Sequence, residues 1–222
     1  MKHCALAVSL LLNPVLLYHT YKLLHPTKLK QEEETEVLFW PDKGIQCPRF
    51  GTMRGCLDKK CHFTHSLTSQ GRLEALLRSA TSSLDICMFV VSAKSLVNIV
   101  LDLNSKGIIV RVITDNQDSN TVDNGEIKSL RAAGIPIRSD NSDYLMHHKF
   151  VIIDKVRVLT GSYNWSKGGQ GLNRENVIVV GESDTVDVYN EEFSKMWDLY
   201  QGGALSVNMF NEKVNVSKAI HF

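Results

Sequence analysis

The sequence predicts an α/β fold, a mixed and largely parallel sheet with helices on both faces, and three observations carry that prediction. Short β-branched runs alternate with segments whose apolar residues recur at helical spacing, from Leu67 through to Tyr200. Gly107 precedes one strand run and Gly134 closes one helical run, where a residue free of Cβ ends a helix without strain. With 222 residues, 43% hydrophobic and 22% charged, the chain can bury one substantial core, in one domain or one domain with a small appendage. A formal net charge of +1 excludes a globally basic nucleic-acid binder, so any basic surface is local.

Residues 1–27 read as an N-terminal membrane anchor. The first acidic residue is Glu32, and Cys4 to Tyr18 is mostly apolar. Cys4 to Tyr21 offers 18 residues, interrupted by Asn13 and Pro14, where a span takes about 20. A cleaved secretory signal and a buried helix are the alternatives, although no small-x-small site follows the apolar run. Lys22, Lys28 and Lys30 follow the segment and only Lys2 precedes it, which directs the C-terminal bulk to the cytosol. Residues 28–36 are a charged linker, 37–202 the main domain, and 203–222 a tail without a readable pattern.

The run VLFW at 37–40 is the first strand, ended by Pro41 and Gly44. Within 45–66, Cys47, Cys56, Cys61 and His65 are separated by eight, four and three residues. Three thiolates and one imidazole suit a closed tetrahedral zinc site with no open position for catalysis. His62 is the rival imidazole, and the spacing favours His65. Cysteines after a cytosol-directed anchor favour reduced thiols over disulfides. The arrangement resembles the CCCH zinc finger family, down to Phe50 and the Cys-x-Phe-x-His ending with Phe63. That resemblance implies stacking of aromatics on single-stranded RNA bases. Arg49, Arg54, Lys59 and Lys60 against Asp58 make the insertion locally basic, suited to phosphates of RNA or of anionic lipid. A zinc staple that only orders the insertion is the alternative.

Helices follow at 67–80, 95–105 and 126–133, and strands at 84–91, 108–114 and 135–138. Cys87 reads as a buried hydrophobe. From His147 to Asn164 the chain spells HHKFVIIDKVRVLTGSYN, the pattern H-x-K-x4-D-x6-G-S-x-N. FVIID and KVRVL read as two strands joined by a tight turn near Asp154 and Lys155. On a strand His147 and Lys149 project from one side about 7 Å apart, able to hold one phosphate between them. Asp154, an odd number of positions away, takes a supporting role. Residues 166–173 read as a mobile glycine-rich loop, with Lys167 and Arg174 placed to meet substrate or solvent. Trp165 is either a core anchor or a wall of the groove. Glu175 to Val180 is a further strand, and Asp184 to Tyr200 a helix with a core-facing stripe.

The string resembles the HKD signature of the phospholipase D superfamily, over about Glu36 to Tyr200. The resemblance implies that His147 is the nucleophile on phosphorus and that Lys149, Asn164 and Ser162 hold phosphoryl oxygens. Glu175 would orient the histidine, since attack needs a neutral imidazole and a carboxylate fixes its tautomer. The superfamily's chemistry takes two histidines and no metal, and this chain has one such string. A homodimer with one active site on its two-fold axis follows. Superfamily members that combine an anchor, an inserted finger and one HKD string sit at the mitochondrial outer membrane. They are associated with cardiolipin, cleaved to phosphatidic acid, and with single-stranded precursor RNA in the piRNA pathway. The finger tips the expectation toward an RNA endonuclease. A tethered, non-enzymatic scaffold is the remaining alternative, and it has no need of His147, Lys149, Asn164 or Glu175.

Overall fold

A computed structural model describes residues 35–116, 125–139 and 144–201. The anchor expected over 1–27, most of the 28–36 linker and the 203–222 tail lie outside the described residues. Among the described residues no helix is long and apolar enough to cross a membrane.

Seven strands form one sheet: β1 (Glu36–Trp40), β2 (Ser83–Met88), β3 (Ile109–Thr114), β4 (Ile137–Arg138), β5 (Lys149–Ile153), β6 (Arg157–Gly161) and β7 (Glu175–Val180), in the order β1-β7-β6-β5-β2-β3-β4. The helices are α1 (Ser69–Arg78), α2 (Lys94–Ser105), α3 (Gly125–Ala132), α4 (Lys167–Gly171) and α5 (Asp184–Leu199).

Strand residues alternate between two apolar clusters, as a pleated strand requires. Ile86, Met88, Val110, Val112, Val151, Ile153 and Leu159 face one cluster with the leucines of α1 and α2 and with Ile127 and Leu130 of α3. Cys87, Ile113, Phe150, Ile152 and Val158 face the other, with Val186, Phe193, Met196 and Trp197 of α5. Helices therefore cover both faces, as predicted. Trp165 is buried in the first cluster and is a core anchor, not a groove wall.

The expectation of a largely parallel sheet is corrected. Only β2–β3 and β3–β4 pair parallel; β1–β7, β7–β6, β6–β5 and β5–β2 are all antiparallel. The parallel half is where α2 and α3 supply crossovers. The motif strands are joined without a helix, by a turn in which Val156 N–H donates to Ile153 O at 3.1 Å. So short a connection permits only antiparallel neighbours. Asp154 (φ 52°) and Lys155 (φ 65°) both lie in the left-handed region, as a mirror-image hairpin turn demands. That backbone costs a non-glycine residue about 1–2 kcal/mol, and side-chain partners offset it. Lys155 Nζ pairs with the carboxylate of buried Asp85, which Arg111 also grips through two nitrogens at 2.7 and 2.8 Å.

The predicted mobile loop at 166–173 is also corrected. Residues Lys167–Gly171 form one helical turn, capped by Ser166 Oγ accepting from Gly169 N–H at 3.1 Å. A Cβ on Gly169 would stand 2.3 Å from Asn164 O, so the glycine lets this turn settle onto the motif.

Candidate active site

All of the motif's expected site residues except Asp154 lie toward one end of the sheet, where β2, β3 and β6 finish and β5 and β7 begin. In an α/β sheet this is the end that offers side chains to a ligand. Lys149 opens β5 opposite Met88, and exposed His147 stands two residues before it. The His147 Nδ1 and Lys149 Nζ atoms are 3.4 Å apart, and Lys149 Nζ donates to His147 O at 2.9 Å. The two side chains are thus neighbours as their spacing led one to expect, although His147 lies just before β5 and not on it. The Phe89 ring explains the closeness: its centroid lies 4.6 Å from the His147 ring and 5.0 Å from Lys149 Nζ. Burial lowers the Lys149 ammonium from its ordinary pKa, and the Glu175 charge pulls it partly back.

The segment leading to His147 is tied down from below. Met146 is buried and its N–H donates at 2.9 Å to the carboxylate of Asp115, itself fully buried just past β3. Phe89 N–H donates to His148 O at 2.9 Å. Neither Phe89 nor Asp115 was singled out by sequence reasoning. An acid at the carboxyl end of a parallel strand was the available signal for Asp115; Phe89 reads only as one more apolar residue of its run.

On the other side of the site β6 ends at Gly161. A Cβ there would stand 2.1 Å from the Asn176 carbonyl oxygen, so only glycine lets β6 run this close to β7. The exposed Ser162 hydroxyl donates to Glu175 and accepts from Asn176 N–H at 3.1 Å. The second Glu175 oxygen accepts from Asn173 Nδ2 at 2.9 Å. Ser162 and Glu175, both expected at the site, thus bond to each other, with Ser162 remaining exposed and Glu175 held on its second oxygen by Asn173. Asn164 Oδ1 is buried with no hydrogen-bond partner among the described residues. Buried Tyr163 stacks on Trp40 at 4.4 Å and donates to Gln70 Oε1 at 2.9 Å, fixing the peptide on which Asn164 rides. Lys167 and Arg174 are exposed. Lys167 lines a cleft of about 810 Å³ with Gln46, Gln70, Ser95 and Gln170, between the base of the insertion and α4.

Asp154, expected among the catalytic set in a supporting role, sits at the far end of β5. Its carboxylate accepts from the backbone N–H groups of Thr81, Ser82 and Ser83 and from the hydroxyls of Thr81 and Ser82, all within 2.8–3.1 Å. Burial pushes the carboxyl up, but these donors outweigh it and hold the group well below the usual carboxylate range. Its role is to lock the fold.

In the insertion, one ligand atom each from Cys47, Cys56, Cys61 and His65 lies within 4.8 Å of all the others. The donor set and spacing fit a tetrahedral metal. A parallel bridge between Gln46 and Thr64, with Cys47 N–H donating to Thr64 O at 2.8 Å, brings the two ends together. Gln46 Oε1 accepts from Thr68 N–H at 3.0 Å and Asp42 caps Ser69 at 2.7 Å, so the insertion is anchored on the N-terminus of α1.

A fold and a histidine–lysine site of this kind define the phospholipase D superfamily, and the chain belongs to its phospholipase D-like family as a phosphodiesterase of that superfamily. The family description "Cardiolipin synthase, PLD-like domain" fits residues 73–197. The chain is similar to the mitochondrial cardiolipin hydrolase of Xenopus tropicalis, 40% identical over 182 residues covering 81% of this chain and 83% of that protein. It is likewise similar to that of Chlamydomonas reinhardtii, 37% identical over 166 residues, covering 75% and 74%. Among solved structures, the phospholipase D family member Nuc from Salmonella typhimurium shares the fold, with a TM-score of 0.58, 21% identity, and coverage of 74% of this chain and 94% of that one.

Proposed function

We propose that the protein hydrolyses cardiolipin to phosphatidic acid through a phosphohistidine, at an active site completed by a second copy of the chain. The juxtaposition of His147 and Lys149 at the open end of the sheet carries the reading, and the cardiolipin hydrolase name shared by its relatives supplies the substrate. A nitrogen of neutral His147 attacks phosphorus while Lys149 and the Asn164 amide hold the non-bridging oxygens. The P–O bond to the leaving alcohol breaks, and His147 of the second copy gives its proton to that oxygen. Water then attacks the phosphohistidine, and the same second histidine takes the water's proton. Glu175, bonded to Ser162 and Asn173, sets the charge felt by Lys149. Lys167 and Arg174 meet the substrate beyond the phosphate. Zinc in the insertion is structural and catalysis uses none. The relatives' names support a mitochondrial protein, and the apolar, acid-free stretch over residues 1–27 with its following lysines supports an outer-membrane anchor and a main domain facing the cytosol. A second reading, cleavage of single-stranded RNA for piRNA production, is favoured by the Cys3His cluster with exposed Phe63 beside it.

The test incubates full-length protein and His147→Asn with cardiolipin vesicles and, separately, with labelled single-stranded RNA. Phosphatidic acid formed by the wild type and lost in the variant is the expected outcome; RNA cleavage alone transfers the site to the second reading. When the two proteins exchange subunits, a shared site makes activity fall as the square of the wild-type fraction. A linear fall rules the shared site out.

A further inference from the structure

The two loops between the metal ligands share a composition that the catalytic site does not use. Between Cys47 and Cys56 the chain exposes Arg49, Met53 and Arg54; between Cys56 and Cys61 it exposes Leu57, Lys59 and Lys60. Met53 is fully open, at 107% relative exposure, and Leu57 is at 77%, so neither side chain contributes to the core. The one acid between them, Asp58, is also exposed and accepts from Lys60 N–H at 2.9 Å, leaving the four cations in excess. Gly51 (φ 77°) and Gly55 (φ 60°) are the left-handed residues that turn the first loop outward. Each loop thus presents one aliphatic side chain together with two cations, on a base fixed by four ligands and the N-terminus of α1.

We infer that the insertion is a membrane-surface contact, with Met53 and Leu57 entering the interface of an anionic bilayer and Arg49, Arg54, Lys59 and Lys60 meeting lipid phosphates. Two open aliphatic side chains among four cations, against the one exposed aromatic of the insertion, Phe63, favour lipid over RNA. Aliphatic side chains gain by leaving water for hydrocarbon and have no face on which a base can stack, whereas the cations serve either phosphate. The inference draws its use from the cardiolipin reading, because it presents an anionic lipid to the site, yet its test does not depend on turnover.

The natural tryptophans Trp40, Trp165 and Trp197 are all buried, which leaves a quiet background for a reporter. Zinc-loaded full-length Met53→Trp is mixed with phosphatidylcholine vesicles, with or without a minor share of cardiolipin, carrying bromine at a shallow acyl position. The added emission should shift to the blue and be quenched with cardiolipin present, with wild-type emission unchanged. Met53→Ser/Leu57→Ser should lose on the order of ten-fold in turnover on vesicles and none on detergent-dispersed cardiolipin. Emission indifferent to vesicles, with one zinc per chain retained, overturns the inference. So does stronger shielding of the reporter from aqueous quencher by a single-stranded RNA oligomer than by vesicles. Should Met53→Trp lose zinc, Leu57→Trp gives the same readout. Quenching without any phosphatidic acid formed would leave the contact standing and remove the cardiolipin reading.

Discussion

At one end of the β5–β6 hairpin the motif's histidine and lysine stand beside open space, His147 exposed and Lys149 half-buried against Phe89. At the other end Asp154 commits both carboxylate oxygens to the backbone and hydroxyls of residues 81–83. All three belong to one short string, and four residues of strand, Phe150 to Ile153, separate Lys149 from Asp154. The supporting role expected of Asp154 takes the form of a clasp on residues 81–83, at the opposite end of a short strand from the exposed histidine.

The sharpest way to break that division is at Lys149. Lys149→Ala should lower kcat by on the order of 10²- to 10³-fold, as loss of one preorganised charge on a phosphoryl oxygen does, while urea unfolding stays near wild type. Unfolding shifted as much as activity would merge the two roles. Asp154→Ala should do the reverse, costing about 1–3 kcal/mol of stability for the donors left unpaired and leaving kcat of the folded fraction unchanged. The sign of its pH dependence follows from a folded pKa held below the ordinary value. The stabilisation is complete above about 3.9 and is lost as pH falls below that range, so variant and wild type should converge in acid. A gap that does not narrow between pH 5 and pH 2 would show that charge is not the cause. The smallest effect is expected at Glu175. Its charge supports the Lys149 ammonium, so Glu175→Gln should move the alkaline limb of kcat/KM to lower pH. An unmoved limb would detach Glu175 from Lys149.

Much of this was legible in the sequence because it is local. The helices, the motif strands, the turn at Asp154–Lys155 and the Cys47–His65 ligand set are written in spacings of a few residues. The supporting role of Asp154 followed from parity along a strand. What stayed hidden depends on which distant segments meet. Strand direction is fixed by pairing, and alternating elements suggest parallel neighbours even where a hairpin intervenes. The bond from Ser162 to Glu175 crosses two strands, Phe89 reaches His147 only because β2 pairs with β5, and Ser166 caps a helical turn where glycines suggested a loop.

The Asp154 clasp also bears on how the chain comes together in time. The sheet has a parallel half, β2-β3-β4, and an antiparallel half, β5-β6-β7-β1, which meet along the β2–β5 pairing. The clasp closes that seam with bonds between residues 71 to 73 apart in sequence. Contacts across so long a loop return their energy only after most of its closure entropy has been met. A bond that forms after the folding barrier governs how fast the native state opens, so the Asp154→Ala loss should fall mainly on the unfolding limb of a chevron plot. The aspartate of the string would then set the lifetime of the folded enzyme, independently of how quickly each molecule reaches it.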